Sequence, residues 1–208
     1  MDAYRAVFKD GTANLCGWLN RWRPSRFVFT SSTSVYPQVE GEQVDEDSPA
    51  AGAGETGRIL AAAESAFLEQ PQSTMLRLAG IYGPDRGHLF LKYLNDEAQI
   101  TGDPNRYLNQ IHCGDVVAAI RHVLQLGSPP ERLNVADNEP VKQVDFFKWL
   151  SERLGKDMPS ANPDPGKRKR AMTNKRVSNR RLLATGFELK YPTFREGYKS
   201  EIMRLGLV

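Results

Sequence analysis

Long apolar runs, paired cysteines and clustered histidines are all missing from this chain, and each absence excludes a class of protein. No run of about 18 apolar residues occurs, so no membrane-spanning helix is expected. Residues 1–10 carry no apolar stretch of the kind a secretory signal needs. The two cysteines, Cys16 and Cys113, stand far apart and form no C-x-x-C pair, which fits reduced thiols in a cytoplasmic protein better than a disulfide frame. The three histidines, His88, His112 and His122, show no ligand spacing, so no metal site is expected. Internal repeats and low-complexity segments are also lacking. What remains is a chain of 208 residues, 40% hydrophobic and 25% charged, enough for one domain or a domain and a half with a real core.

The net charge of +3 hides an uneven distribution. Residues 167–181 carry eight basic side chains and no acid, which leaves −5 on the rest. Glu40, Glu42, Asp45, Glu46 and Asp47 lie in a stretch with no base between Arg26 and Arg58. A basic run of this kind binds phosphates or nucleic acid, or forms a solvated face. No aromatic residue interleaves with it, which argues against stacking on single strands and makes a nucleic-acid partner the last of the readings.

Helix and strand signals alternate. Residues 2–20 have apolar residues at helical spacing, with Gly11 as a weak point and Pro24 as a stop. Residues 26–30 read as a short buried strand that runs into the hydroxyl cluster Ser31, Ser32, Thr33 and Ser34. Residues 55–69 are helical. Residues 73–78 form a second strand, which enters a Gly/Pro turn at 79–84. A short helix over 88–95, an extended piece at 109–112 and a helix over 114–126, with Asp115 in its first turn, come next. A strand at 133–136, a helix over 142–154, a Pro-rich basic linker beyond Pro159 and a short helix near 178–185 complete the pattern. The alternation predicts an α/β protein with a parallel sheet. Ligands in such sheets sit beyond the carboxyl ends of the strands, here 30–34 and 78–84.

Five segments, in order, carry a family likeness. They are Phe-Val-Phe-Thr-Ser-Ser-Thr-Ser-Val-Tyr at 27–36, Leu-Arg-Leu-Ala-Gly-Ile-Tyr-Gly-Pro at 76–84, Asn-Gln-Ile-His-Cys-Gly-Asp-Val at 109–116, Leu-Asn-Val-Ala-Asp-Asn-Glu-Pro at 133–140 and Lys-Arg-Val-Ser-Asn at 175–179. Together they resemble the extended short-chain dehydrogenase/reductase superfamily of nucleotide-sugar epimerases and dehydratases, in its atypical, YeeZ-like branch. The resemblance implies an incomplete Rossmann-like, doubly wound parallel sheet with a small C-terminal α/β lobe on the substrate side. It places the cofactor-binding part at 1–155, with substrate-side insertions at about 85–112, and the lobe with its basic linker at 156–208. It implies NAD or NADP as cofactor, contacted by Thr30, Ser31, Ser32, Leu78, Ala79, Gly80 and Ile81. A nucleotide-sugar-like substrate would meet Ser34, Tyr82, Arg86, Asn109, Lys175 and Arg176. A homodimer through the helices at 2–20 and 55–69 is also implied.

Two departures from the family qualify these expectations. The family opens with a strand, a Gly-x-x-Gly-x-x-Gly turn and a helix that cradle the cofactor pyrophosphate. No such motif occurs here, and the glycines at 52, 54 and 57 follow no strand. The chain is therefore expected to match the carboxyl part of a longer architecture, and to be marginally stable alone or associated with a second copy or with an N-terminal fragment. Second, the family's Tyr-x-x-x-Lys pair falls on Thr56 and Leu60. A threonine hydroxyl is a far weaker acid than a tyrosine activated by lysine, so Ser32 is the one catalytic residue that matches. Its alternative role is to cap a strand exit. The arginine often found before the Ile-His segment falls at Leu108, with Arg106 as a substitute. His112 and Asp115 read as helix-positioning residues, and Arg77 as an anchor for the loop or for a ligand oxygen.

Overall fold

The computed structural model describes residues 2–52, 54–162 and 173–207. Most of the predicted Pro-rich linker, and the basic residues at 167–170 with it, lie outside the described residues. The N-terminal helical region is three consecutive pieces, α1 (Asp2–Arg5), a π-helical stretch (Ala6–Asp10) and α2 (Gly11–Trp22). Gly11, the weak point, is where the wide π turns return to α geometry. The helix stops where Arg23 turns left-handed (φ 44°) ahead of Pro24, a residue that disfavours helix before it.

After it come β1 (Phe27–Ser32), a 3-10 turn (Thr33–Val35), β2 (Glu42–Val44), α3 (Glu55–Leu68) and β3 (Ser73–Leu78). Next are β4 (Gly80–Tyr82), α4 (His88–Leu94), β5 (Gln99–Thr101), β6 (Tyr107–Leu108), β7 (Gln110–His112), α5 (Cys113–Gln125) and β8 (Arg132–Val135). The chain finishes with β9 (Val141–Lys142), α6 (Gln143–Leu154), β10 (Ser160–Asn162), β11 (Lys175–Val177), α7 (Arg180–Leu183) and α8 (Phe194–Arg204). No helix among the described residues is long and apolar enough to cross a membrane.

The main sheet has the order β1-β3-β8, all parallel. The pleat sends alternate side chains to opposite faces. Phe27, Phe29 and Met75 pack with Leu19 of α2 and with Ala63 and Phe67 of α3. Val28 and Leu76 join a core that holds Ala119 and Val123 of α5. The central strand β3 is buried at every position, as expected of a parallel strand covered on both faces. β1, read as a buried strand whose outer edge would be left unpaired, is mostly half-buried with Thr30 exposed, because β3 is its one neighbour in the sheet among the described residues.

Short parallel ladders, β2 with β11, β4 with β7 and β5 with β10, and the antiparallel pair β6–β9 extend the structure beyond the strand ends. The segment predicted as a turn at 79–84 is mostly strand. Ala79 donates its N–H to Val135 O at 3.0 Å, Gly80–Tyr82 then pairs with β7, and the reversal falls at the Gly83–Arg86 bridge. The helix predicted near 178–185 is the single turn α7. Helix α8 was not anticipated, although Thr193-x-x-Glu196 is a capping box at the sequence level, and both of its bonds form. α8 seals a second, aromatic core of Tyr82, Phe90, Phe146, Phe147, Phe194 and Tyr198.

Candidate functional site

The parallel register sets Ser32, the last residue of β1, directly opposite Leu78, the last residue of β3, so the two strand exits open side by side. Ser34 is exposed, Ser32 half-buried and Ser31 buried. Ser32 Oγ accepts the Ser34 N–H at 3.2 Å and caps the 3-10 turn, which leaves its own O–H to donate elsewhere. Leu78 and Ala79 are buried and Ile81 is half-buried against the sheet core. Gly80 is exposed and donates its N–H to Asn109 O at 2.9 Å; a Cβ there would come within 3.0 Å of the same oxygen.

The glycines before α3 have a packing role. Gly52 (φ 72°) donates its N–H to Val35 O at 2.7 Å, and a Cβ on it would lie 2.2 Å from the Gly57 carbonyl carbon. A Cβ on Gly57 would lie 2.9 Å from Ser34 O. Small residues here let the start of α3 close onto the loop after β1. Ala53 lies outside the described residues. Thr56 is half-buried in the first turn of α3, and Leu60 belongs to the sheet core at 2% exposure, so no charge stands at the family's lysine position.

Behind the exits runs a buried polar network that sequence reasoning found only at Arg77. The Ser31 hydroxyl donates to the Glu64 carboxylate. Arg77 grips that carboxylate through Nε (3.2 and 3.1 Å) and Nη2 (2.8 Å), and both side chains are at most 4% exposed. Arg77 Nη1 donates to the Tyr36 hydroxyl at 2.9 Å, and Tyr36 donates to Asn134 Oδ1 at 2.8 Å. Asn134 Nδ2 donates to Ser178 O at 3.0 Å, and the Asn134 N–H to Glu46 Oε1 at 2.7 Å. Burial holds the Glu46 carboxyl above the usual carboxylate range. Arg77 Nη1 also reaches Glu46 O at 3.5 Å, which ties β3 to the segment after β2. The clue in the sequence was a glutamate on the apolar side of α3, facing a strand arginine.

Asn109 clamps β11, with Nδ2 donating to Lys175 O at 2.9 Å and Oδ1 accepting the Val177 N–H at 2.7 Å. Lys175 is 5% exposed, and its Nζ donates to Tyr36 O at 3.3 Å and to Thr173 Oγ1 at 3.1 Å. Burial, aided by the nearby Arg106 guanidinium, pushes this ammonium down to about 8. Arg176 was expected to act beside Lys175, but neighbours in a strand face opposite ways. Its Nε donates to Gly41 O at 2.9 Å while its guanidinium lies 5.5 Å above the Tyr107 ring. Arg86 is exposed at the Gly83 turn. Tyr82 is 1% exposed and stacks on Tyr198 at 4.2 Å, and burial raises its phenol far above the ordinary value. His112 Nδ1 accepts the Gly114 N–H at 3.0 Å and caps α5, while Asp115 accepts the N–H groups of Lys190 (2.8 Å) and Tyr191 (3.0 Å). The described part of the basic run is no continuous face: Lys175 is internal, and Arg181 pairs with Asp47 beside Glu46.

Comparison with known proteins adds four likenesses. The sequence model of the NAD dependent epimerase/dehydratase family matches residues 6–136. Protein YeeZ of Escherichia coli is 32% identical over 177 residues, a match that covers 82% of this chain and 60% of YeeZ. The chain therefore spans less than two thirds of the length of that relative. Human epimerase family protein SDR39U1 (isoform 2), solved with NADPH, superposes with a TM-score of 0.81 at 19% identity over 96% of this chain and 74% of that one. UDP-glucose 4-epimerase of Thermus thermophilus, solved with NAD, superposes with a TM-score of 0.73 at 24% identity over 93% and 68%. At these identities the structural likenesses establish the fold, a Rossmann-like α/β sheet.

Proposed function

The chain belongs to the NAD dependent epimerase/dehydratase family, and from that premise we propose that it is a catalytically atypical member with a two-sided site. The β1 and β3 exits meet the nicotinamide end of NAD or NADP, and the Lys175 side takes an anionic, nucleotide-sugar-like substrate. The observation that carries this reading is the register that sets Ser32 against Leu78, with the small residues Ala79 and Gly80 next in the chain. Because the Ser32 oxygen accepts in its capping bond, its O–H is left to donate to a substrate oxygen. Lys175 is a buried cation whose hydrogen-bond acceptors are uncharged, and Arg106 adds positive charge near it. The relatives solved with NADPH and NAD support the cofactor class.

When bound, the nicotinamide supplies hydride transfer. The described residues fit that end of the cofactor, and no glycine turn among them follows a strand in the manner of a pyrophosphate cradle. With Leu60 in the core, proton transfer at the Thr56 position has no lysine beside it, so turnover is slow or lost. The second reading, a non-catalytic protein built on the same scaffold, draws on that same burial of Leu60. We assign 1–155 to the cofactor side and 156–208 to the substrate-side lobe. We also assign cytoplasmic residence, and pairing of two copies through 2–20 and 55–69, where Val7, Leu15 and Trp18 leave apolar surface exposed. A monomer by size exclusion at micromolar concentration contradicts the pairing.

The test is a fluorescence titration with NADH and NADPH. Saturable binding that Ser32→Ala weakens about fivefold, the value of one hydrogen bond, is the expected result. No saturation at millimolar cofactor overturns the reading.

A further inference from the structure

We propose that Tyr36 is a positioning residue that locks the serine-bearing loop after β1 and the Lys175 ammonium into one unit. Tyr36 closes the segment that begins with the Ser31–Ser32 pair, and its side chain is fully buried. Its two ends do different work. The backbone oxygen accepts from Lys175 Nζ at 3.3 Å. The phenol stands where helix α3 and all three strands of the main sheet meet, between Arg77 on β3 and Asn134 on β8.

The polarity of that junction has a single solution. Arginine only donates, so the Tyr36 oxygen accepts from Arg77 and its proton must go to Asn134 Oδ1. Asn134 is then fixed with its amide nitrogen on Ser178 O, in the segment that follows β11. Ser31 is held by the same Glu64 carboxylate that Arg77 grips. The Arg77 guanidinium also lies 5.0 Å above the Tyr36 ring. A buried ion pair of this kind is weak evidence for stability, and the best-attested use of such pairs is to fix one arrangement over its neighbours. Fully satisfied buried networks rigidify what they touch. The arrangement fixed here is the loop that carries Ser32 and Ser34 on one side and Lys175 on the other. Only the identity of the ligand that meets this unit depends on the proposed function; the unit itself is present in the free protein.

The test uses the full chain without ligand. Lysine side-chain and backbone amide signals are followed by NMR through a pH titration, for the parent protein, Tyr36→Phe and Tyr82→Phe. Tyr36→Phe removes one oxygen and keeps the ring and the backbone carbonyl. The expected result is displacement of the Ser32 and Ser34 amide signals, together with a Lys175 midpoint that rises from about 8 by at least about half a unit as the ammonium gains water. Tyr82→Phe, the same change in the aromatic core, leaves all three signals in place. Lys175→Met approaches from the other end, and it also displaces the Ser32 and Ser34 amides. It decides the matter alone if Tyr36→Phe does not fold. Unmoved serine amides in a folded Tyr36→Phe or Lys175→Met protein overturn the proposal. Because no cofactor is added, this outcome is separate from a failure to bind NADH.

Discussion

The interior around the parallel sheet and the aromatic core under α8 are built differently. Around the parallel sheet, polar groups cross the interior in a closed series from Ser31 through Glu64, Arg77 and Tyr36 to Asn134, each with a partner. In the aromatic core under α8, rings do the packing, and in or beside it Tyr82 Oη, Gln110 Nε2 and Asp137 Oδ2 have no hydrogen-bond partner among the described residues. Asp137 is 2% exposed, and burial raises its carboxyl well above the ordinary range. The difference teaches where position matters. Hydrogen bonds are directional and set the geometry beside Ser32 and Lys175, whereas aromatic packing closes the lobe without fixing one polar arrangement.

The largest expected effect comes from halving the buried ion pair. Glu64→Ala leaves the Arg77 charge buried and unpaired and costs about 3–5 kcal/mol by urea unfolding, while the double change Glu64→Leu with Arg77→Met comes out near neutral. In the other core, Phe194→Ala costs about 3–5 kcal/mol through a cavity, and no second substitution of a charged residue restores it. Equal behaviour of the two single variants towards rescue would erase the distinction between the cores.

Lys175 gives the next effect, with a definite sign. Its folded value of about 8 lies below the ordinary 10.5, so burying the charged form opposes folding below about pH 8, and that opposition fades as pH rises towards 10.5. Lys175→Met therefore raises stability by up to about 3 kcal/mol at pH 6–7, and the gain shrinks by pH 10. Melting curves across that range check it; a gain independent of pH contradicts the assignment.

The smallest effects make the sharpest contrast, because one chemical change has opposite signs. Tyr36→Phe strands Asn134 Oδ1 and costs about 1–3 kcal/mol. Tyr82→Phe removes a buried hydroxyl that has no partner among the described residues and gains roughly 1 kcal/mol.

Much of this arrangement could be read in the chain itself. The periodicity of 2–20, 55–69 and 142–154 and the apolar run at 73–78 located the frame, because local burial patterns decide such elements. The open edge of β1 followed from the absence of the family's preceding strands, while its half-burial, a property of the whole sheet, could not be read from its apolar run alone. Gly80–Tyr82 read as a turn because Gly and Pro punctuate strands as well as loops, and its partner β7 lies about thirty residues on. The proposed site was partly legible. Ser32, Asn109 and Lys175 stood out, but the separation of Lys175 from Arg176 needed the β11 register, and the links from Glu64 to Asn134 join residues far apart in sequence.

The most direct measurement is a titration of NADH against the parent chain, Tyr36→Phe and Tyr82→Phe under one set of conditions. The account predicts saturable binding for the parent and for Tyr82→Phe, and binding about fivefold or more weaker for Tyr36→Phe, since its loop presents Ser32. Absence of saturable binding in all three at millimolar NADH, or equal affinity in Tyr36→Phe and the parent, contradicts it.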